Sequence, residues 1–206
     1  MPIEPTKVYQ YSDTEKIWVF DNVFTFAERS AMYAFFLGSR FMFNRGATPL
    51  PEAGSNIFQL RSTYSDVDVK NCKFFGNKKI QNILTDLGVD SFGMVSPRVN
   101  ACLPSDVYQY HTDSLDTTCI TLLYFANLEW ATEWEGETIF AEHDGKNIFC
   151  ATAFIPGRLV AFNSSIPHKS SQPSFGAKYH RFVFNLTLNP NAGTPIKTLY
   201  GTENDY

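Results

Sequence analysis

The stretch Tyr110-His111-Thr112-Asp113-Ser114 places an imidazole and a carboxylate two residues apart. Side chains alternate faces along an extended strand, so His111 and Asp113 are expected to point the same way. A histidine from a distant strand would complete a 2-His-1-carboxylate set, which leaves coordination positions open on iron(II). The candidate is His168, which lies 168 − 111 = 57 residues further along the chain. Only a fold that returns several strands to one place can bring the two histidines together.

The second half of the chain supplies such strands. After Gly88 the sequence consists mostly of short apolar runs separated by turn residues such as Asp144-Gly145 and Pro156-Gly157. The predicted strands cover residues 94–103, 107–112, 118–126, 137–142, 148–154, 158–162 and 180–188. Many short strands after a helical segment predict an α+β domain whose β part is a sandwich or jelly roll.

The first half of the chain is predicted to contain two helices. A strand over 16–24 precedes a capping box formed by Thr25 and Glu28, and Gly38 ends the helix that follows. Apolar residues at helical spacing over 77–87 indicate the second helix. The segment 44–70 between them carries prolines and glycines, and we interpret it as a surface excursion or as a loop that covers a substrate.

Composition narrows the class of protein. The chain has 206 residues, which suits one domain over 1–206, with the jelly-roll core at about 92–189 and a loosely held tail at 190–206. Its 17 Lys and Arg against 21 Asp and Glu give a net charge of −4, and no basic run favours nucleic-acid binding. The four cysteines form no C-x-x-C pair, so zinc-ribbon and redox sites are not expected.

The sequence shows no apolar stretch long enough to span a membrane and no signal segment at its start. A cytoplasmic setting is therefore expected, and membrane partners are not. Oligomeric state cannot be inferred from the composition.

One arginine stands out on the last predicted strand. Arg181 is followed by apolar residues including Phe182, Val183 and Phe184. An isolated buried charge is costly, so this guanidinium is expected to meet a carboxylate, either from the protein or from a ligand. An internal ion pair or a surface position at the strand end are the alternatives.

Several segments together resemble the 2-oxoglutarate- and iron(II)-dependent oxygenases, in particular the prolyl-4-hydroxylase-like branch. The segments are Tyr110-His111-Thr112-Asp113, residues 121–127, 134–138 and 156–162, Pro167-His168, and Arg181. The likeness covers about residues 92–189, and the opening at 16–38 is similar too.

The resemblance implies a fold, a set of ligands and an activity. It implies a double-stranded β-helix, a cupin-like jelly roll with the N-terminal helices packed on one sheet. It further implies that His111, Asp113 and His168 bind iron(II), and that Arg181 binds the distal carboxylate of 2-oxoglutarate. The expected reaction uses O2 to hydroxylate a C–H bond, first of all in a prolyl residue of a peptide or protein, and releases succinate and CO2. Ascorbate enters as an accessory reductant.

The chain departs from the pattern of these oxygenases in two places. They often carry a tyrosine on the strand before the H-x-D motif, and the matching position here is Leu103. Tyr124 or Tyr108 is expected to supply that hydroxyl to the co-substrate instead. Arg181 follows His168 by 13 residues, which is long for this branch, and Lys178 is therefore a rival anchor.

Other functions stay open on the sequence. The substrate could be a free amino acid or another small molecule, and the fold could also serve as a non-catalytic binding module. Halogenation needs an open metal position where Asp113 stands, so the carboxylate argues against it. A zinc hydrolase could use two histidines and an aspartate, but it gives no reason for a buried Arg181.

Overall fold

The main elements in the part of the chain that the structure describes are two antiparallel sheets and two α-helices, and short 3-10 helices occur at Thr132–Trp134 and Pro190–Ala192. In this computed structural model the described residues are 3–45, 58–65, 68, 74, 77–89, 93–106 and 108–192. The helices are α1 (Phe26–Leu37) and α2 (Lys78–Asp86). The strands are β1 (Lys7–Gln10), β2 (Lys16–Phe20), β3 (Met42–Arg45), β4 (Phe58–Thr63), β5 (Gly93–Cys102), β6 (Ile120–Phe125), β7 (Thr138–Ala141), β8 (Ile148–Thr152), β9 (Leu159–Asn163), β10 (His168–Ser170) and β11 (Arg181–Asn189).

The larger sheet has the order β1-β2-β9-β6-β11-β5-β4-β3, and the smaller sheet has the order β10-β7-β8. Their strands pair antiparallel throughout. The sheets stack as a double-stranded β-helix, and the α+β jelly roll with helices on one sheet is confirmed. Neither helix of the described chain combines the length and apolar character of a membrane span.

One apolar core lies between the larger sheet and the helices. Leu122 and Tyr124 of β6 are buried there with Met32 and Phe36 of α1 and with Leu84 of α2. Phe36 stacks on Phe184 of β11 with ring centroids 5.1 Å apart. This packing anchors both helices to the outer face of the sheet.

A second apolar core lies between the two sheets. Leu123 and Phe125 point to this side, because successive side chains of β6 alternate faces. Phe140 of β7 meets Phe162 of β9 edge to face, with ring centroids 5.0 Å apart. The polar residues described below stand on this inner face.

The capping box of α1 is confirmed. The N–H of Glu28 donates to Thr25 Oγ1 at 3.3 Å, and the N–H of Thr25 donates to Glu28 Oε2 at 2.6 Å. Gly38 follows the last turn, as predicted. The Glu28 carboxylate also accepts from Lys79 Nζ at 2.8 Å and from Asn77 Nδ2 at 2.7 Å, which ties α1 to the start of α2.

Three strands lie where the sequence predicts none, and one predicted strand is missing. β1 lies in the expected extended lead-in, while the end of β3 and all of β4 fall within the segment 44–70. Residues 46–57, 66–67 and 69–70 of that segment and 193–206 of the predicted tail lie outside the described residues. Residues 108–112 of the predicted strand 107–112 form a single bridge at His111 and no ladder. Asp106 accepts from the N–H of Leu103 at 2.9 Å and turns the chain before it.

Candidate active site

The main chains of His111 and His168 lie side by side. The N–H of His111 donates to the carbonyl of His168 at 3.0 Å, and the N–H of His168 donates back at 2.9 Å. This isolated antiparallel bridge joins the segment before β6 to the start of β10. His168 opens a strand as predicted, and residues 57 apart in the sequence become neighbours.

Asp113 is positioned by main-chain and side-chain hydrogen bonds, not by a strand. Its N–H donates to the carbonyl of Ser164 at 3.0 Å, and the N–H of Ser114 donates to the same carbonyl at 3.2 Å. The Thr121 hydroxyl donates to Asp113 Oδ2 at 2.9 Å and lies 2.9 Å from Ser164 Oγ. The Asp113 side chain is 6% exposed, so its orientation is set by these contacts.

The three predicted ligands meet at one point. One nitrogen from each of His111 and His168 and one oxygen from Asp113 lie within 4.8 Å of one another. Asp113 is 3.5 Å from His168 Nε2 and 3.9 Å from His111 Nε2. The side chain of His111 is 36% exposed, whereas those of His168 and Asp113 are 3% and 6% exposed.

Both histidines present the nitrogen that a metal needs. His111 Nδ1 lies 3.1 Å from the carbonyl of Gln109, and His168 Nδ1 lies 3.0 Å from the carbonyl of Ile166. A carbonyl can only accept, so the proton of each ring lies on Nδ1 and the Nε2 lone pair faces Asp113. Backbone carbonyls commonly orient metal-binding histidines in this way.

The charges of the cluster also suit a cation. Burial and the neighbouring His111 lower the pKa of His168 to about 4, so the ring is neutral at neutral pH. Burial alone would raise the pKa of Asp113. The electrostatic interactions of its carboxylate with His168 and Arg98 lower the pKa by more than burial raises it, so the pKa lies below its ordinary value. Because His168 is neutral, Arg98, at 3.5 Å from Asp113 Oδ1, is the permanent cation that favours the carboxylate.

A divalent transition metal fits these residues. His168 Nε2 is buried and has no hydrogen-bond partner among the described residues. Buried polar atoms rarely stay unpaired, and an unpaired lone pair facing a carboxylate suits an ion. Two imidazoles and one carboxylate form a donor set for non-haem iron, and the same set also accepts zinc.

Arg181 is buried, as predicted, and is 1% exposed. Its Nε donates to the carbonyl of Gly136 at 2.6 Å, and its terminal nitrogens donate to Ser170 Oγ and Thr138 Oγ1, each at 3.1 Å. No carboxylate of the described residues lies within ion-pair distance of it, so the internal ion pair considered above is not formed among them. The guanidinium therefore keeps its charge available for a ligand.

One pocket joins Arg181 to the two histidines. It opens between the sheets, and its polar lining comes mainly from β5 and β11. The residues that line it are Arg98, Asn100, Cys102, Tyr108, His111, Leu123, His168, Ser170, Arg181, Val183 and Asn185. An anion bound by Arg181 would thus share a cavity with a metal held by the histidines.

Tyr108 lines this pocket, and its hydroxyl donates to Asp106 Oδ2 at 3.0 Å. Burial, Cys102 and Asp106 raise the pKa of Tyr108 far above its ordinary value, so the phenol stays protonated. Leu103, which was matched above to the expected tyrosine, does not line the pocket. At the end of β5 it is Cys102 that lines the pocket, with its Sγ 3.6 Å from Arg181 Nη1, and Leu103 follows after the strand has ended.

Two other candidates lie elsewhere. Tyr124 is fully buried in the core beneath the helices, with ring centroids 5.4 Å from Phe24 and 5.3 Å from Phe74. It neighbours Leu123, which faces the pocket, so its ring lies on the other side of β6 and does not line the pocket. Lys178 does not line the pocket either, and its Nζ lies 6.0 Å from the ring of Trp134.

Sequence reasoning missed several polar residues of the pocket. Arg98, Asn100 and Cys102 alternate along β5, and Asn185 follows Arg181 on the same face of β11. Polar residues at every second position of an otherwise apolar strand are the signal that could have found them.

A larger groove, of about 330 Å³, lies on another part of the surface. Its lining includes Phe26, Tyr33 and Tyr179, and the Tyr179 hydroxyl donates to Glu129 at 2.5 Å. The groove contains neither the histidine pair nor Arg181, so it is not the candidate active site.

No family model and no curated protein matches the sequence. Solved structures do match its fold. A Trichoplax adhaerens prolyl hydroxylase, in complex with a hypoxia inducible factor peptide, has a TM-score of 0.60 and 16% identity, over 94% of this chain and 90% of that one. An oxidoreductase of the 2OG-Fe(II) oxygenase family from Burkholderia pseudomallei has a TM-score of 0.63 and 10% identity, over 88% of each chain.

EctD from S. alaskensis, solved with 2-oxoglutarate and 5-hydroxyectoine, has a TM-score of 0.61 and 14% identity, over 93% of this chain and 78% of that one. These likenesses are structural, and they extend over most of each chain. The chain therefore has the jelly-roll fold of the 2-oxoglutarate- and iron(II)-dependent oxygenases, prolyl hydroxylases among them.

Proposed function

We propose that this protein is an iron(II)- and 2-oxoglutarate-dependent dioxygenase that hydroxylates a C–H bond. The observation that carries the proposal is the shared pocket, in which the histidine pair and the buried Arg181 face one cavity. The fold supports it, because the matching structures include enzymes of this kind. The proposal treats residues 1–206 as one catalytic domain.

Each site residue has a proposed role. His111 and His168 would donate Nε2, and Asp113 a carboxylate oxygen, to iron(II). Arg181 would bind the distal carboxylate of 2-oxoglutarate with the donor capacity that its protein contacts leave. Tyr108 would present its hydroxyl to the same ligand.

Bound iron(II) supplies the oxygen chemistry, in which 2-oxoglutarate, O2 and R–H give succinate, CO2 and R–OH. The protein residues orient the reactants around it. Arg181 holds the co-substrate in one pose, and its guanidinium carbon lies 5.4 Å from the ring centroid of Phe125 and 5.0 Å from that of Phe154. These rings exclude water and strengthen the charge pairing. Ascorbate is proposed as an accessory reductant.

A prolyl residue in a peptide or protein is the first substrate that we propose. The Trichoplax adhaerens enzyme was solved with a peptide of hypoxia inducible factor, which supports the choice. A free amino acid or other small molecule is the second candidate. EctD was solved with 5-hydroxyectoine, and its fold matches equally well.

Anaerobic titration with iron(II) and 2-oxoglutarate tests the proposal. We expect a weak charge-transfer band in the visible and, on admission of O2, formation of succinate. His111→Ala and Asp113→Ala should abolish the band because each removes a ligand. The matched control is His180→Ala, since that histidine is exposed and lies outside the pocket.

A wild-type protein that gives neither band nor succinate would overturn the proposal. Stoichiometric zinc together with hydrolysis that needs no 2-oxoglutarate would indicate a zinc hydrolase instead. Absence of bound metal and of turnover would favour a binding module.

A further inference from the structure

Two arginines stand close together on the pocket face of the larger sheet, away from Arg181. Arg61 of β4 lies opposite Asn100 of β5, and Asn100 in turn lies opposite Val183 of β11. Residues directly opposite each other in antiparallel strands point to the same face. Since Asn100 lines the pocket, Arg61 stands beside the pocket on the same face as Arg98.

Arg61 has no counter-charge in the described part of the chain. Its Nε is buried without a hydrogen-bond partner there, and no carboxylate of the described residues lies within ion-pair distance of its guanidinium. Burial first, and then the like charge of Arg98, lower the pKa of Arg61. A half-buried cation beside another cation is unfavourable unless an anion joins them.

Asp113 is not the anion that would join Arg61 and Arg98. Its carboxylate is 3.5 Å from Arg98, and its other contacts are Thr121 and the two histidines of the proposed iron site. The contact with Arg98 therefore belongs to the metal centre. Arg61 adds a further positive charge, for which the described residues hold no counter-charge.

Two carboxamides complete the surroundings. The Oδ1 atoms of Asn100 and Asn185 are buried and have no hydrogen-bond partner among the described residues. Asn185 is only 5% exposed and lies opposite Arg98 across β5 and β11. Unpaired amide groups beside two guanidinium groups suit a ligand that carries a carboxylate and an N–H or ammonium donor.

The distal carboxylate of 2-oxoglutarate is not this ligand. Arg181 lies opposite Cys102, whereas Arg98 is four residues earlier on β5. At about 3.4 Å per residue the two positions are separated by about 14 Å along the strand. Arg61 and Arg98 therefore occupy the end of the pocket remote from the proposed co-substrate anchor.

We propose that Arg61 and Arg98, together with Asn100 and Asn185, form a subsite that binds a carboxylate of the substrate. This inference rests on the proposed function and names the substrate class. The substrate bears a free carboxylate near an amine or amide, as in a free amino acid or a C-terminal residue. Of the substrates proposed above, the subsite favours a free amino acid or a C-terminal prolyl residue over an internal prolyl residue, which carries no such charge.

Binding to the nickel-substituted protein with 2-oxoglutarate tests the subsite without turnover. The probes are the proteinogenic L-amino acids, their carboxamides, and peptides with proline at the C-terminus or in the interior. We expect at least one free carboxylate compound to bind, and its amide to bind at least about 30-fold more weakly. Amino acids and C-terminal peptides distinguish the two sources of the carboxylate.

Variants assign the effect to Arg61. Arg61→Met should weaken the carboxylate probe about 30-fold or more, as expected when one partner of a partly buried charge pair is removed. Arg61→Lys should restore part of the loss, and Arg40→Met, at an exposed arginine, should change nothing. The dissociation constant of 2-oxoglutarate should stay the same in all three.

Several results would overturn the subsite. They are equal binding of acids and amides, no binding by any free carboxylate, an unchanged affinity in Arg61→Met, and a loss confined to 2-oxoglutarate. Failure of the proposed function is separate, because it appears as a missing charge-transfer band in the wild type.

Discussion

Gly136 lies in contact with the side chain of Arg181, and replacing Gly136 with alanine tests how that side chain is held in place. The Gly136 carbonyl accepts from Arg181 Nε at 2.6 Å, and its φ is +89°. A Cβ at this position would lie 3.0 Å from Arg181 Cδ and 3.4 Å from Nε. The substitution therefore strains the backbone and pushes the arginine side chain.

The two effects can be separated by a control. A left-handed backbone costs a non-glycine residue about 1–2 kcal/mol. Gly145 has a φ of +68°, and a Cβ added there would meet no described atom within 4 Å, so Gly145→Ala should cost only that amount. Overpacking against a buried side chain adds about 1–3 kcal/mol, so Gly136→Ala should cost about 2–5 kcal/mol.

Urea denaturation of both variants measures the free energy of unfolding. Binding of 2-oxoglutarate to the nickel-substituted protein measures the position of Arg181. We expect the dissociation constant to rise about tenfold or more in Gly136→Ala, because a guanidinium displaced by a few tenths of an ångström loses its alignment with a carboxylate. Gly145→Ala should bind as the wild type does.

Equal destabilisation by the two substitutions would show that the contact with Arg181 costs nothing. An unchanged affinity for 2-oxoglutarate would show that Gly136 does not position the co-substrate anchor. Either result would refute the reasoning.

Two further predictions concern residues that hold the site and the helices. Thr121→Val removes the hydroxyl that donates to Asp113, and metal titration should show about 10–100-fold weaker binding with an unchanged circular dichroism spectrum. Glu28→Gln should lower the free energy of unfolding by about 1–2 kcal/mol at neutral pH, because it weakens the capping box and the ion pair with Lys79. Burial raises the pKa of Glu28, but Lys79 and the other donors outweigh it and lower it to about 2. The contribution is therefore complete above the ordinary value of 4.5 and disappears as the pH falls towards 2, where variant and wild type should unfold alike.

The parts of the structure that follow local rules can be predicted from the sequence. The box formed by Thr25 and Glu28 depends on two residues three apart, and the apolar run of β6 depends on alternation. The clustering of His111, Asp113 and His168 is expected from residue types and spacing, and the distances are consistent with it.

The parts that depend on non-local contacts cannot be predicted in this way. Asp113 is held by a carbonyl of Ser164, more than 50 residues away, so its segment needs no strand of its own. Cys102 lines the pocket and Leu103 does not, and a difference of one position along the chain is the kind that strand register decides. β4 joins the larger sheet by pairing with β5, and the sequence of β4 contains no local pattern that predicts this pairing.

The backbone bridge between His111 and His168 bears on the stability of the metal-free protein. Bringing together residues 57 apart in a flexible chain costs about 3–4 kcal/mol of loop-closure entropy. The bridge joins main-chain groups and β10 pairs with β7, so we expect sheet pairing, and not an ion, to offset that cost. We therefore expect the chain to fold without the metal, unlike small domains that are unfolded without zinc. We expect a chelator to remove the metal ion without unfolding the jelly roll.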